Sequence, residues 1–491
     1  MPTRRLPSNP RLEHLRNQAR DLHRLIRASD ADALALVDEH HPRAPRTSEP
    51  LTLAEAQLVI ARTYGFPSWP RLRRHLDVIE EHARSPHEHR PTADEPADEF
   101  LSLACLSYGN SDSPERWRAA RELLDADPSL GTASIWTMAA AGEAEAAREL
   151  VVGDPSLASR RGGPHRWEPL LYAAYSRVPL PEGRSTLEVA RVLLDHGADP
   201  DAGYLWEGLP SPFTALAGAF GGGEDAVNQP PHPDEMALAR LLLAAGADPN
   251  DNQALYNRMF DRSNVHLELL FEFGLGTGDG GPWRARLPET AESIEAMLAM
   301  QLQWAAEHGM DDRVRLLLEH DVDPDAVSGH PAFAGRSAHE LAVRTGHTVI
   351  ADLLAAAGAT QRELTPEDEL VAACMRLDRA AASRLVATDP GLVGRADEAL
   401  APAVTAAELG RLDAIRLLVD LGFDVNGRQR VTALHHAAAA GDADLVRALL
   451  ELGADPELRD TEFDAPALGW ARHNGHAEVA ALLEPLTPSE E

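Results

Sequence analysis

Close to its C-terminal end the chain repeats one pattern at a fixed spacing. Residues 410–426 read GRLDAIRLLVDLGFDVN and residues 441–457 read GDADLVRALLELGADPE, which places Gly422 and Gly453 31 residues apart. Each copy is a leucine-rich stretch that ends at a glycine, the residue that closes many helices in a left-handed conformation. A period of roughly 33 residues is typical of stacked helix–turn–helix units, because a single unit cannot bury its apolar face alone. The spacing therefore predicts an all-α solenoid.

The same pattern recurs, with drift, along most of the chain. Gly197 and Gly246 end leucine-rich stretches in the same way, and other stretches end at an Asp-Pro pair. Alanine pairs mark the preceding inner helices, where neighbouring units must approach closely. We count about eleven units, several of them degenerate, between residues 98 and 486.

The segment between the two best copies resembles a known motif. Residues 432–438, TALHHAA, are similar to the Thr-Pro-Leu-His-x-Ala-Ala start of an ankyrin repeat, and Gly-Ala-Asp at 453–455 is similar to the finger of that family. The resemblance implies an ankyrin-repeat solenoid that binds another protein through its concave face and finger loops. It also implies a structural role for Thr432 and His435, with the His435 side chain tying neighbouring loops through hydrogen bonds.

Residues 1–82 do not follow the repeat. Apolar residues from Leu12 to Ile26 are spaced by three and four, which predicts an amphipathic helix, and residues 51–82 predict two further helices. This segment resembles the small helical module ahead of ankyrin arrays in some bacterial proteins. The Pro- and charge-rich residues 83–97 predict a linker, and residues 487–491 a disordered tail.

Two Gly/Pro-rich stretches interrupt the array, near residues 203–234 and 274–293. Such composition is typical of surface loops, so we expect both to project from the solenoid. They carry Tyr204, Trp206 and Trp283, which packing between repeats does not require. Because exposed aromatic residues often anchor interfaces, these three are candidate partner-binding residues. The alternative is that each loop folds back and buries its own aromatic side chain.

Charge limits the class of partner. The chain has 46 Arg, no Lys and 78 acidic residues, for a net charge of −32. Residues 1–90 carry a net +3, which leaves −35 on the other 401 residues. Such a surface repels phosphate backbones, so we expect no nucleic acid partner and favour a protein with a basic surface. No apolar run reaches the roughly 20 residues that span a bilayer, so no membrane partner is expected.

We find no local signature of catalysis, of a metal or of a cofactor. His339-Glu340 begins like a metalloprotease helix, but Val343 stands where the second His is required. The histidines at 82, 87 and 89 lie beside glutamates, where they could collect a metal, but they lack the spacing of a structured site. Cys105 and Cys374 are predicted to be free core thiols in a reducing compartment.

These observations favour a cytoplasmic, non-catalytic interaction scaffold without metal or cofactor. A different interpretation remains open, namely an enzyme or regulatory protein whose site lies in the groove or in the insert loops. The sequence leaves the oligomeric state and the identity of the partner open.

Overall fold

The protein is described by a computed structural model that covers Arg4 and residues 6–7, 10–42, 51–89 and 95–487. The predicted tail lies outside these residues except for Thr487. The chain divides into two compact units, Met1–Ile294 and Glu295–Glu491. Eleven helix pairs follow one another in the described residues, five in the first unit and six in the second. The predicted mainly helical architecture of consecutive helix pairs is thereby confirmed.

The first unit begins with four helices around their own core: α1 (Leu12–Arg27), α2 (Ala31–His40), α3 (Leu53–Thr63) and α4 (Trp69–His82). The spacing by three and four puts Leu15, Ala19 and Leu22 on one buried face of α1, which packs against α3. These helices have a hydrophobic core of their own within the first unit.

Five helix pairs of the repeat type follow. The first helix of each pair packs against the first helix of the next, and fully buried alanines such as Ala139, Ala173 and Ala217 permit the close approach. The pairs are α5 (Pro96–Ala104) with α6 (Pro114–Ala126), α7 (Ile135–Ala141) with α8 (Ala144–Gly153), α9 (Pro169–Tyr175) with α10 (Thr186–Asp195), α11 (Ala215–Phe220) with α12 (Glu235–Ala244), and α13 (Asn252–Met259) with α14 (Val265–Glu272). Another helix, α15 (Gly281–Arg286), follows them.

A small sheet takes the place of the expected linker and of the first insert loop. Its strands are β1 (Ala83–Arg84), β2 (Gly203–Trp206) and β3 (Pro212–Thr214). β1 pairs in parallel with β2, with Ala83 opposite Leu205, and β2 pairs in antiparallel with β3. Residues 83–84 of the expected linker form this short strand, whose backbone groups are satisfied by the pairing; residues 90–94 lie outside the described part.

The second unit has six helix pairs. They are α16 (Ile294–Glu307) with α17 (Asp311–Glu319), α18 (Ala338–Arg344) with α19 (Thr348–Ala356), α20 (Pro366–Met375) with α21 (Arg379–Thr388), α23 (Pro402–Glu408) with α24 (Leu412–Asp420), α25 (Ala433–Ala439) with α26 (Ala443–Glu451), and α27 (Ala467–His473) with α28 (Ala477–Leu483). An unpredicted helix, α22 (Leu392–Leu400), packs against α20 through Leu392, Ala396 and Leu400.

Four glycines follow the second helices of their pairs. Gly197, Gly246, Gly422 and Gly453 have φ values of +88°, +104°, +96° and +95°. A Cβ atom added at any of them would meet no atom within 4 Å, so the backbone conformation, and not a lack of space, explains the glycine. No helix among the described residues combines the length and the apolar character that a membrane span requires.

Candidate binding surface of the repeats

His435 joins two consecutive repeats. Its Nδ1 lies 2.8 Å from Thr432 Oγ1 and 3.3 Å from Thr432 N, and its Nε2 lies 3.1 Å from Ala465 O in the next repeat. Nδ1 therefore accepts and Nε2–H donates, which selects one neutral tautomer. Burial lowers the pKa of His435, in agreement with an uncharged ring at neutral pH. The contacts are those of a side chain that fixes one loop to the next.

In an earlier repeat Glu340 occupies the place that matches His435, and His339 comes one residue before it. Ser337 and Glu340 cap the start of α18 reciprocally: Ser337 N donates to Glu340 Oε2 at 2.8 Å and Glu340 N donates to Ser337 Oγ at 3.3 Å. His347 belongs to the start of α19, where its Nδ1 lies 3.0 Å from Arg411 Nη2. The His-Glu pair at 339–340 thus belongs to a capped repeat helix.

The first predicted anchor, Tyr204, is not exposed. Its exposed fraction is 1%, and its ring stacks on Trp167 at 4.9 Å and on Phe213 at 5.6 Å. Phe213 lies opposite Tyr204 in the β2–β3 pair, so formation of the hairpin brings the two rings together. The hairpin part of this insert does not project from the solenoid, since it buries its aromatic side chains in the first unit.

The other two predicted anchors, Trp283 and Trp206, are also held by contacts within the first unit. Trp283 is 6% exposed, and its indole N–H donates to Asp201 O at 2.9 Å. It packs with Ile79, Leu205 and Leu287, so the second insert also contributes to the core. Trp206 is half-buried, and its indole N–H donates to Ser107 O at 3.1 Å. Burial removes the reason for assigning Tyr204 and Trp283 to a binding surface, whereas Trp206 is only half-buried.

An aromatic side chain that the sequence analysis did not single out is exposed in the second unit. Phe463 lies in the loop between α26 and α27, residues 459–466, which we call the Phe463 finger; its exposed fraction is 55%. Its ring centroid lies 6.2 Å from that of the half-buried Trp470 in α27. An aromatic residue within the polar stretch DTEFDA was the available sequence signal.

Asp460 determines the shape of the Phe463 finger. Its carboxylate accepts hydrogen bonds from Glu462 N, Phe463 N and Ala465 N at 2.6–3.2 Å, and from the Trp470 indole N–H at 2.9 Å. Burial would raise the pKa of Asp460, but these four hydrogen bonds outweigh it and lower the pKa to about 2. The ionised carboxylate thus holds the backbone that presents Phe463.

The inner helices of the second unit carry a paired group of charged side chains. His308 Nε2 lies 3.3 Å from Glu408 Oε1, and the His308 ring stacks on Trp304 with centroids 3.7 Å apart. Partial burial would lower the pKa of His308, but the Glu408 carboxylate outweighs it and raises the pKa; the same bond lowers the pKa of Glu408. Because the two groups neutralise each other, neither is a free base for proton transfer.

Three side chains in the first unit could offer ligands to a metal ion. One atom each of His87, Glu88 and Glu207 lies within 4.8 Å of the others. His87 Nε2 is already 3.1 Å from Glu207 Oε1, and His87 stacks on Trp206. The other ring nitrogen, Nδ1, has no partner among the described residues, whereas metal-bound histidines usually donate from it. These contacts describe a hydrogen-bonded pair beside a glutamate.

Both cysteines are buried free thiols. Cys105 and Cys374 are each 0% exposed, and burial raises the pKa of each thiol to about 12. A thiol with such a pKa is a poor nucleophile at neutral pH, so these residues act as small core side chains.

Comparison with known proteins finds a family match for part of the second unit. The family model for ankyrin repeats (3 copies) matches residues 370–460. Over 82 residues the chain is 42% identical to the E3 ubiquitin-protein ligase Ufd4 of Drosophila melanogaster, which is 16% of this chain and 3% of that protein. It is 38% identical over 92 residues to the ankyrin repeat protein nuc-2 of Neurospora crassa, and 31% identical over 94 residues to the putative ankyrin repeat protein L271 of Acanthamoeba polyphaga mimivirus.

The shared region is short in every case. The matches to nuc-2 and L271 each cover 18% of this chain, and 8% and 13% of the relatives. The chain therefore spans a small fraction of these relatives, and their names describe proteins that share only this region with it. The family match, the helix pairs and the His435 contact together identify residues 370–460 as ankyrin repeats.

Proposed function

We propose that the chain is a non-catalytic interaction scaffold and that its second unit binds a partner protein through the Phe463 finger. The ankyrin assignment of residues 370–460 supports binding of a protein, because ankyrin repeats generally mediate protein–protein interaction. The finger begins at the end of the matched region, which includes residues 459–460, and its other residues follow that region. The Phe463 ring and the half-buried Trp470 beside it would form the apolar part of the contact.

The observation that carries this proposal is the combination of exposure and rigidity at Phe463. The side chain is 55% exposed, while the backbone on both sides is fixed by the Asp460 carboxylate. Large aromatic side chains contribute much of the free energy at interfaces. A loop that is ordered before binding loses less conformational entropy on binding, which strengthens the interaction.

The charge around the finger indicates the chemistry of the partner. Asp455, Glu457, Glu462 and Asp464 are exposed in or next to it, and the chain outside residues 1–90 carries −35. Glu462 pairs with Arg430 at 2.7 Å, and Asp464 lies 3.8 Å from Arg459. The excess negative charge favours a basic partner surface, and electrostatic steering would make the association rate fall as salt increases.

The test is affinity capture with the full chain, followed by measurement of Kd for the captured protein. The variant Phe463→Ala removes the exposed ring, and Val349→Ala in α19 is a matched control, since Val349 is 53% exposed in the same unit. We expect Phe463→Ala to weaken binding by about 2 kcal/mol, roughly 30-fold in Kd. The melting temperature of both variants should stay close to that of the unaltered chain, because exposed substitutions change stability little.

Equal Kd values for the two variants would contradict the role of the finger. Chemical modification or turnover of a small molecule by the purified chain, abolished by His308→Ala, would instead favour an enzyme.

A further inference from the structure

A cavity of about 270 Å³ lies between two segments of the first unit. One wall is the chain that follows β1, with Arg84, Ser85, Glu88 and His89. The other wall is the loop before α9, with His165 and Arg166. No residue of the Phe463 finger lines this cavity, so a ligand site here is independent of the proposed function.

The cavity is lined by guanidinium groups that lack carboxylate partners. Neither Arg84 nor Arg166 forms an ion pair with any described residue, although 46 Arg face 78 acidic residues in this chain. Arg84 Nη1 donates to its own neighbour, Ala83 O, at 2.7 Å, and its buried Nε has no partner. Burial and the charges of Arg166 and Arg161 lower the pKa of Arg84 to about 10, so it is still charged at neutral pH.

Two imidazole rings of the cavity wall also have unused ring nitrogens. His165 is 3% exposed, and neither of its ring nitrogens has a partner; the same is true of His89 Nε2. The two rings lie 6.0 Å apart, edge to face. Buried polar atoms are nearly always hydrogen-bonded in folded proteins, so these ring nitrogens beside the cavity are available to a polar ligand that enters it. A neutral imidazole can donate one hydrogen bond and accept another.

Both walls are rigid. Tyr172 Oη donates to Gly162 O at 2.9 Å and accepts from His165 N at 3.2 Å, and Gly162 N donates to Trp167 O at 3.0 Å. Within this closed loop Arg166 has φ +54°, a left-handed conformation that non-glycine residues adopt at a cost. Such strain concentrates at ligand sites. The pairing of β1 with β2 fixes the opposite wall.

We propose that this cavity binds a small molecule through an oxyanion, a phosphate or a carboxylate, held between Arg84 and Arg166. The fork of donors on a guanidinium matches two oxygens of either group. Ser85 and the imidazoles supply further hydrogen-bonding groups around it, and the volume limits the ligand to a small molecule. Glu88 also lines the cavity and adds one negative charge, which favours a ligand with few negative charges.

The experiment is isothermal titration of the full chain with inorganic phosphate, and separately with succinate, against sodium chloride of equal ionic strength. We expect saturable binding of one equivalent of at least one probe. Phosphate alone identifies a phosphoryl ligand, succinate alone a carboxylate ligand, and binding of both supports the shared oxyanion chemistry. No saturable binding of either probe to the unaltered chain would overturn the proposal.

Variants place the binding in the cavity. Arg166→Asn removes the charge but retains a residue that tolerates the left-handed conformation, and it should weaken binding at least tenfold. Arg118→Gln is the control, because it removes an exposed Arg from the same unit. An equal loss in both variants would show that the anion responds only to net charge, and would overturn the site. If Arg166→Asn fails to fold, Arg84→Gln replaces it in the same comparison.

Discussion

At the scale of single residues, Asp460 shows how one carboxylate organises a loop. It accepts four hydrogen bonds, three of them from the backbone N–H groups of the Phe463 finger. These bonds fix the backbone on both sides of Phe463, the exposed aromatic residue of the finger. The folded finger therefore depends on the ionised form of Asp460, and a change of pH tests this dependence.

Asp460→Asn should lower the free energy of unfolding at neutral pH, and this decrease should disappear in acid. The folded pKa of about 2 lies below the ordinary value of 3.8, so ionised Asp460 contributes stability above pH 3.8 that is lost as the pH falls through 2. Urea denaturation of both chains should show a difference in the free energy of unfolding that is constant from pH 7 to 5 and shrinks towards pH 2. Asp464→Asn is the control, because this exposed carboxylate has only a 3.8 Å contact with Arg459. A difference that does not depend on pH would contradict the assignment.

His435→Ala should destabilise the second unit by about 1–3 kcal/mol, because it leaves Ala465 O and the Thr432 hydroxyl without their buried partner. Chemical denaturation measures the loss, and replacement of the exposed His473 by Ala serves as the control. The metal content of the purified chain should be the same before and after the substitution. Stoichiometric zinc that disappears in His435→Ala would show a ligand in place of a structural hydrogen bond.

At the scale of elements, the helices were predictable from local sequence patterns. Such patterns contain no information about pairing between distant segments of the chain. The repeat helices follow from leucine spacing, alanine pairs and turn glycines, which are all readable within one unit of about 33 residues. β1 is a strand only because it lies beside β2, more than one hundred residues later in the chain. Tyr204 and Trp283 were misplaced for the same reason, since Phe213, Ile79 and Leu287 bury them after folding.

Because the repeat helices stack on one another, neighbouring leucines of the same helix differ in burial, and their contributions to stability can be compared. Leu449 in α26 is 0% exposed in the core of the second unit, whereas Leu450 beside it is only partly buried. Leu449→Ala should cost about 2–5 kcal/mol in the free energy of unfolding. Leu450→Ala should cost clearly less, and denaturant titration of both variants gives the comparison. Equal losses would mean that the side of α26 facing its neighbours is assigned wrongly.

At the scale of the whole molecule, the repeat architecture extends well beyond the matched family region. The family model covers residues 370–460, while helix pairs run from Pro96 to Leu483. The degenerate units lose the Thr-Pro-Leu-His start but keep the leucine-rich second helix, which ends at a glycine or at an Asp-Pro pair, so general physical patterns detect them. The candidate sites were less predictable, since the exposure of Phe463 and the cavity beside Arg166 depend on tertiary packing.

The pairing of β1 with β2 also bears on how the first unit folds. A stack of repeats can fold by nearest-neighbour steps, each closing only a short stretch of chain. Ala83 and Leu205 instead close a loop of more than one hundred residues, which carries an entropic cost that grows slowly with loop length. Because the helix pairs from α5 to α10 would shorten the effective loop, we expect them to form before the strands join. A solenoid that would otherwise fold piecewise thereby gains one long-range step that couples its early repeats to the helices before them.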